Sequence, residues 1–170
     1  WAETHWTYPR ILREPRFWAL AFGFFFSLYN HYAVQVHQTR FFLDLGFSME
    51  RSAWALGLVV LLGIPGQILA GYLSDRIGRE WGWALAMSGY VLCFTLFLAM
   101  REQPSLGLLY ASVAAVGLLG AGTAPLFGTI GADLFGGPSF GRVFGLLGAA
   151  TSIGAATGAW FTGYLYDATN

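Results

Sequence analysis

The chain has 170 residues, of which 56% are hydrophobic and 11% are charged, and its net charge at pH 7 is zero. Soluble domains are about one-quarter charged, so this composition excludes an ordinary soluble domain and indicates a protein that resides in the lipid bilayer. Because the chain has no lysine and no net positive charge, we expect no nucleic-acid partner.

Charged residues occur in clusters, and the uncharged runs between them are about 20 residues or longer, which is enough for a helix to cross the hydrocarbon core. Lipid offers no hydrogen-bond partners to the backbone, so only helices or closed barrels span it, and these runs lack the alternation of barrel strands. The sequence therefore predicts an all-α integral membrane protein. Its five predicted transmembrane helices cover about residues 17–36, 52–74, 81–100, 106–132 and 143–166.

Residues 1–16 are charged at several positions and have no apolar core, which excludes a signal peptide and predicts a cytoplasmic lead-in. With five crossings, this segment shares one side of the membrane with residues 75–80 and 133–142. That side holds Arg10, Arg13, Arg16, Arg76, Arg79 and Arg142, against Arg40, Arg51 and Arg101 on the other. The arginine excess predicts a cytoplasmic N-terminus. The chain starts without Met and stops soon after the fifth run, so we expect a fragment of a longer protein.

The first run carries a polar stripe, because Ser27, His31, Gln35 and Gln38 are spaced by four, four and three residues. Tyr29, Asn30 and Tyr32 flank the stripe. A polar face at this depth is costly against lipid, so it should face the bundle interior or a water-filled path. The stripe is therefore the best candidate for a solute path.

His31 is the one readily ionisable side chain well inside a predicted span, and histidine changes its charge near neutral pH. Two roles at the path follow: binding an anion, or carrying a coupling proton. The alternative is a neutral histidine that hydrogen-bonds a neighbouring helix.

Proline and small residues mark the later runs. Pro65 and Gly66 in the second run, and Pro125 in the fourth, predict bends that are either transport hinges or static kinks. At the start of the fifth run and within it, glycines four residues apart at 141 and 145, and at 154 and 158, predict close helix packing. Weaker candidates for the solute path are Gln67, Thr123, Thr151 and Ser152. Serine and threonine often bond carbonyls of their own helix, so a structural role is the alternative for three of these.

Residues 71–80 read Gly-Tyr-Leu-Ser-Asp-Arg-Ile-Gly-Arg-Glu between two apolar runs. Gly71 and Gly78 allow close approach and turn geometry, Asp75 accepts charge-assisted hydrogen bonds, and Arg76 and Arg79 are suited to the inner membrane surface. The segment resembles the signature loop between the second and third helix of each half in major facilitator superfamily transporters, except at its last residue. In that family the loop acts as a latch that stabilises one access state against the other half. The alternative is that the arginines are only membrane anchors.

The resemblance extends over most of the chain. Residues 13–18, 42–48 and 158–167 look like the C-terminal half of such a transporter, and the uncharged fourth run lacks the buried arginine usual in the N-terminal half. The resemblance implies helices seven to eleven, that is, five helices of a six-helix half-bundle. The group that the chain most resembles contains oxalate/formate antiporters and monocarboxylate transporters.

This resemblance implies a secondary transporter of a small organic solute, a monocarboxylate or dicarboxylate, working by alternating access in a bacterial inner (plasma) membrane. Its implied partners are membrane lipid, the N-terminal half, the solute and a coupling proton; no cofactor is implied. Relatives of this group often place a cationic side chain in the eighth or eleventh helix. Residues 52–74 and 143–166 contain neither Arg nor Lys, so the cation must come from the other half or from protonated His31, or the solute is neutral.

Two other function classes remain open at this stage. A membrane enzyme or metal protein would need converging ligands, but His31 and His37 are six residues apart, off one helical face, and Cys93 is the only cysteine. We therefore expect no enzyme and no metal site. A non-transporting sensor or assembly subunit built from a transporter-like half is the second alternative.

Overall fold

The computed structural model describes residues 6–169, nearly all of which are helical, and none of these residues lies in a strand. The all-α prediction is confirmed. The helices are α1 (Tyr8–Arg13), α2 (Pro15–Asp44), α3 (Met49–Ile77), α4 (Arg79–Glu102), α5 (Leu106–Ala114), α6 (Thr123–Phe135) and α7 (Phe140–Thr169). A π-helical segment, Ala115–Leu119, and a 3₁₀ turn, Gly120–Gly122, join α5 to α6.

Four helical stretches in the described residues are long and apolar enough to cross a membrane: Met49–Ile77, Arg79–Glu102, Leu106–Phe135 and Phe140–Thr169. They cover the second to fifth predicted spans. The first predicted span lies in α2, which has 30 residues but carries the polar stripe and is less apolar than the other four. A membrane crossing by α2, and the direction of the whole chain in the membrane, stay predictions.

Side chains and glycine set the helix ends. The Ser48 hydroxyl accepts a hydrogen bond from the backbone N–H of Arg51 at the start of α3, and the Ser105 hydroxyl accepts one from the N–H of Leu108 at the start of α5. Such caps satisfy N–H groups that have no partner inside the helix. The connection between α3 and α4 is the single residue Gly78, whose φ of 96° lies where side chains are rarely tolerated.

The described residues form two compact units. The first unit contains residues 6–33 and 127–169, and its core includes Ile11, Phe24, Phe135 and Leu147. The second unit contains residues 34–126. Its core includes Phe42, Ala55, Tyr90, Met100 and Leu109, contributed by α2, α3, α4 and α5.

The predicted bends have different outcomes. α3 continues unbroken through Pro65, whereas the fourth span changes to a π and then a 3₁₀ segment shortly before Pro125. Pro125 lies in the first turn of α6, where its missing N–H breaks no hydrogen bond within that helix.

Glycines let the irregular segment approach its neighbours in the second unit. A Cβ added at Gly66 would overlap the carbonyl oxygen of Gly117, and one at Gly89 would lie 2.6 Å from the backbone N of Gly120. The segment between α5 and α6 is therefore in backbone contact with α3 and α4.

Candidate functional site

The polar residues of the α2 stripe fall in both units: Ser27 and His31 belong to the first, and Gln35 and Gln38 to the second. Ser27 is 0% exposed and Gln38 is 2% exposed, whereas His31 and Gln35 are half-buried. The flanking candidates Tyr29 and Asn30 are also half-buried.

Two atoms of the stripe are buried without a hydrogen-bond partner among the described residues: the hydroxyl oxygen of Ser27 and Nε2 of Gln38. Leaving a buried polar group unpaired costs about 1–3 kcal/mol. Most proteins pair such groups, so an unpaired one calls for an explanation such as a water molecule or a ligand. Each of these two atoms could therefore form a hydrogen bond with a water molecule or a polar ligand.

Helices α2 and α7 are in backbone contact within the first unit. A Cβ added at Gly154 would overlap the carbonyl oxygen of Phe25, and one at Gly158 would overlap that of Tyr29. Residue numbers increase together along the contact, so the two helices run in the same direction. The predicted packing role is confirmed for this glycine pair. At Gly141 and Gly145, by contrast, no described atom lies within 4 Å of the added Cβ.

This contact fixes the level of the fifth-span candidates relative to α2. Gly158 lies at the level of Tyr29, so Thr151 and Ser152 lie about 12–14 Å along the helix axis from the level of His31, at 1.5 Å per residue. Their hydroxyls donate to the carbonyl of Gly148 at 2.7 and 2.9 Å. The structure therefore does not bring them to His31, and their contacts support the structural alternative.

Thr157 is a polar residue that the sequence analysis did not select. It lies between the two contact glycines, is half-buried, and donates its hydroxyl to the carbonyls of Ile153 at 2.7 Å and Gly154 at 3.1 Å. Its position inside the Gly-x-x-x-Gly repeat was the available signal, because that repeat marks the side of α7 that meets α2.

The second unit holds Thr123 and Gln67. The Thr123 hydroxyl donates to the carbonyl of Gly120 at 3.0 Å, and Thr123 also hydrogen-bonds the buried side chain of Tyr90. These bonds brace the irregular segment before α6 and support a structural role for Thr123. Gln67 is exposed on α3. Tyr90 was missed because a tyrosine in an apolar run is indistinguishable from an ordinary core residue.

The signature segment is mostly helical, since residues 71–77 form the end of α3 and Arg79 begins α4. Arg79 Nη1 lies 2.5 Å from Asp75 Oδ1 and donates to the hydroxyl of Ser74 at 2.7 Å. The buried Ser74 in turn donates to the carbonyl of Gly71 at 2.9 Å. Arg79 thus ties the first turn of α4 to the last turns of α3, and Ser74, which was not selected from the sequence, is the central member of this network.

The predicted turn geometry is correct for Gly78 and wrong for Gly71. Gly71 lies inside α3, has no positive φ, and has no described neighbour within 4 Å of an added Cβ. The close approach occurs instead at Gly82, where an added Cβ would lie 2.7 Å from the Cβ of Ser74. Because residue 71 is helical, it does not need the conformational freedom of glycine. Glycine is needed instead at Gly78, for the turn, and at Gly82, for the close contact with Ser74.

Arg76 contacts a different side chain, that of Tyr72. Its guanidinium carbon lies 4.4 Å from the ring centre of Tyr72, and it forms no ion pair with a carboxylate of the described chain. Over the same residues, no three His, Cys, Asp or Glu side chains come together as a metal site.

Comparison with known proteins gives two findings. Residues 17–170 match the family model of the Major Facilitator Superfamily. The chain is also similar to the glycerol-3-phosphate transporter of Bacillus subtilis (strain 168), with 29% identity over 152 residues. The matched region covers 86% of this chain and 34% of that relative, so the chain spans about a third of the relative's length.

Proposed function

Because the chain belongs to the Major Facilitator Superfamily, we propose that it forms part of a secondary transporter that moves a small organic solute across a membrane by alternating access. Transport of this kind needs no covalent step. It requires only that the access states bind solute and coupling ion with different free energies. The observation that carries the proposal is the polar stripe of α2, whose buried Ser27 and Gln38 each present an unpaired polar atom.

Within this proposal, the chain is the C-terminal half, and residues 1–16 are a cytoplasmic lead-in that includes α1. Helices α2, α3 and α4 are then the seventh, eighth and ninth helices, α5 with α6 is the tenth, and α7 is the eleventh. The absence of charge in residues 106–132 supports this half over the N-terminal one. The partner is an N-terminal half, and the expected location is a bacterial inner membrane.

The latch role rests on the network around Arg79. Asp75 and Ser74 hold Arg79 across the Gly78 turn, so the end of α3 and the start of α4 move as one piece. A rigid turn of this kind is suited to carry contacts with a facing half that form in one access state and break in the other. Gly71, Asp75, Arg76, Gly78 and Arg79 remain the proposed latch residues.

We propose a small organic anion as the solute, either a carboxylate, as the resembling group implies, or a phosphate ester, as the name of the Bacillus relative suggests. Residues 52–74 and 143–166 provide no Arg or Lys, so this half would bind the solute mainly through the hydroxyl, amide and imidazole groups of α2. The balancing positive charge would come from the facing half or from protonated His31.

The test is uptake of radiolabelled carboxylates and phosphate esters by the complete protein in proteoliposomes, with and without a proton gradient. The proposal is supported if one of these two solute classes is taken up and if that uptake falls when Ser27 or His31 is substituted. Ser88→Ala is the matched control, because Ser88 is exposed on α4 and bonds its own helix carbonyl at Leu85. Failure to move or bind any solute would favour the sensor or assembly alternative.

A further inference from the structure

A groove opens on the surface of the second unit between α3, α4 and the irregular segment that joins α5 to α6. Its volume is about 280 Å³. The lining is almost wholly apolar and comes from Leu69, Ala70, Leu73, Gly82, Leu85, Ala86, Leu118 and Leu119. Several of these leucines are exposed, so the groove is open along its side.

The groove has its shape because small and large residues alternate around it. Gly82, Ala70 and Ala86 form its floor, and a Cβ added at the neighbouring Gly122 would touch both alanines. Leu69 and Leu85 stand at the rim and are 52% and 39% exposed. An open apolar cleft between membrane helices is suited to a flexible hydrocarbon chain.

One end of the groove lies near the Gly78 turn, where α3 and α4 reach the membrane surface. Leu73 is one turn before Arg76 on α3, and Gly82 is one turn after Gly78 on α4. Tyr72 and Trp81, exposed by 52% and 69%, flank this end. Tyrosine and tryptophan favour the headgroup level of a bilayer, so this end of the groove lies close to the lipid phosphates.

The two arginines at this end differ in their partners. Arg79 is held by Asp75 and Ser74. Arg76 is exposed, stacks on Tyr72, and has no carboxylate partner in the described chain; Glu80, on the first turn of α4, forms no ion pair with it. Arg76 therefore presents a positive charge beside the polar end of an apolar groove.

We infer that this groove is a binding site for an anionic phospholipid, with an acyl chain between α3 and α4 and the phosphate at Arg76. An anionic headgroup matches the uncompensated guanidinium, and the apolar lining matches the chain. This site is separate from the α2 stripe but shares Arg76 with the proposed latch. Its test measures lipid binding and not transport, so its result is independent of the proposed function.

The test measures lipid binding to the delipidated complete protein by native mass spectrometry, using phosphatidylglycerol and phosphatidylcholine with identical acyl chains. We expect the wild-type protein to bind phosphatidylglycerol about fivefold more tightly, which corresponds to about 1 kcal/mol for one arginine near a charged surface. Arg76→Gln should abolish this preference. Its matched control, Arg51→Gln at the opposite end of α3, should preserve it.

The acyl chain is tested with Leu69→Trp, which fills the groove from its rim. We expect both lipids to bind about tenfold more weakly, as when roughly two methylenes leave the groove. Leu61→Trp, at an exposed position on the same helix outside the groove, is the control. If Leu69→Trp does not fold, Leu85→Trp fills the groove from the opposite wall and decides the matter.

Three outcomes would overturn the inference. Equal binding of the two lipids by the wild-type protein would remove the headgroup site at Arg76. Unchanged binding in both groove-filling variants would show that the acyl chain lies elsewhere. Binding of neither lipid would show that the groove is not a phospholipid site.

Discussion

Gly158 of α7 lies directly against the carbonyl oxygen of Tyr29 in α2, so that no side chain separates the two helices at the level of the polar stripe. Gly154 makes the same contact with Phe25 one turn earlier. The backbone of α2 beside Tyr29, Asn30 and His31 is therefore held by the backbone of α7, and changes on either helix should be felt by the proposed path.

Gly158→Ala is expected to lower the stability of the protein. The added methyl must displace backbone atoms of α2, and overpacking of this kind costs about 1–3 kcal/mol. Gly145→Ala on the same helix has open space around it and should stabilise by up to about 1 kcal/mol, since alanine favours a helix more than glycine does. Thermal unfolding in detergent compares the two variants. Equal effects would show that the α2–α7 contact does not restrict residue 158.

Gly78→Ala should destabilise the protein by about 1–2 kcal/mol, because a side chain at a φ of 96° is strained. Gly71→Ala is the comparison within the same segment, and it should be neutral or slightly stabilising because Gly71 is helical and open. The midpoint of thermal unfolding measures both. A larger loss at Gly71 than at Gly78 would contradict the turn assignment.

Asp75→Asn tests the latch. In its ion pair with Arg79, the Asp75 side chain is 64% exposed and that of Arg79 is 30% exposed, so solvent weakens the pair and the free energy of unfolding should change by only about 0–1 kcal/mol. Uptake by the complete protein should nevertheless fall at least about tenfold, because a shift of about 1.4 kcal/mol between access states has that effect. Asp44→Asn is the matched control: Asp44 pairs with Arg40 at 2.9 Å with the same four-residue spacing. Similar losses in both variants would indicate a general charge effect and not a latch.

Ser27→Ala should raise stability while weakening solute binding. Removing a buried hydroxyl that has no partner removes a desolvation cost of about 1–3 kcal/mol, whereas the bound solute loses a hydrogen bond. Ser112→Ala is the control, because the buried Ser112 donates to the carbonyl of Leu109 at 2.7 Å, and its loss should destabilise by about 0.5–1.5 kcal/mol. Thermal unfolding with and without solute measures both effects. If Ser27→Ala left solute-induced stabilisation unchanged, Ser27 would not belong to the path.

The all-α class and the positions of four apolar helices were predictable because length, hydropathy and the placement of charges are local properties that lipid selects directly. The turn at Gly78 was predictable for a similar reason, since a glycine between two long apolar runs marks the place where only a flexible residue fits. The polar stripe of α2 also follows from spacing alone, because helical periodicity places Ser27, His31 and Gln35 on one face.

The sequence did not show which residues of different helices contact one another. Only the tertiary structure showed that Gly154 and Gly158 meet α2 while Gly141 and Gly145 remain open, although both pairs have the same spacing. The tertiary structure also showed that the close contact beside the turn occurs at Gly82 and not at Gly71. Spacing defines the face of one helix, but which face is covered depends on the approach of a second helix. The sequence by itself therefore determined the long apolar helices, the lipid environment that they suit and the polar face of α2. The packing of α2 against α7 and of α3 against α4 decided which small and polar residues are in contact.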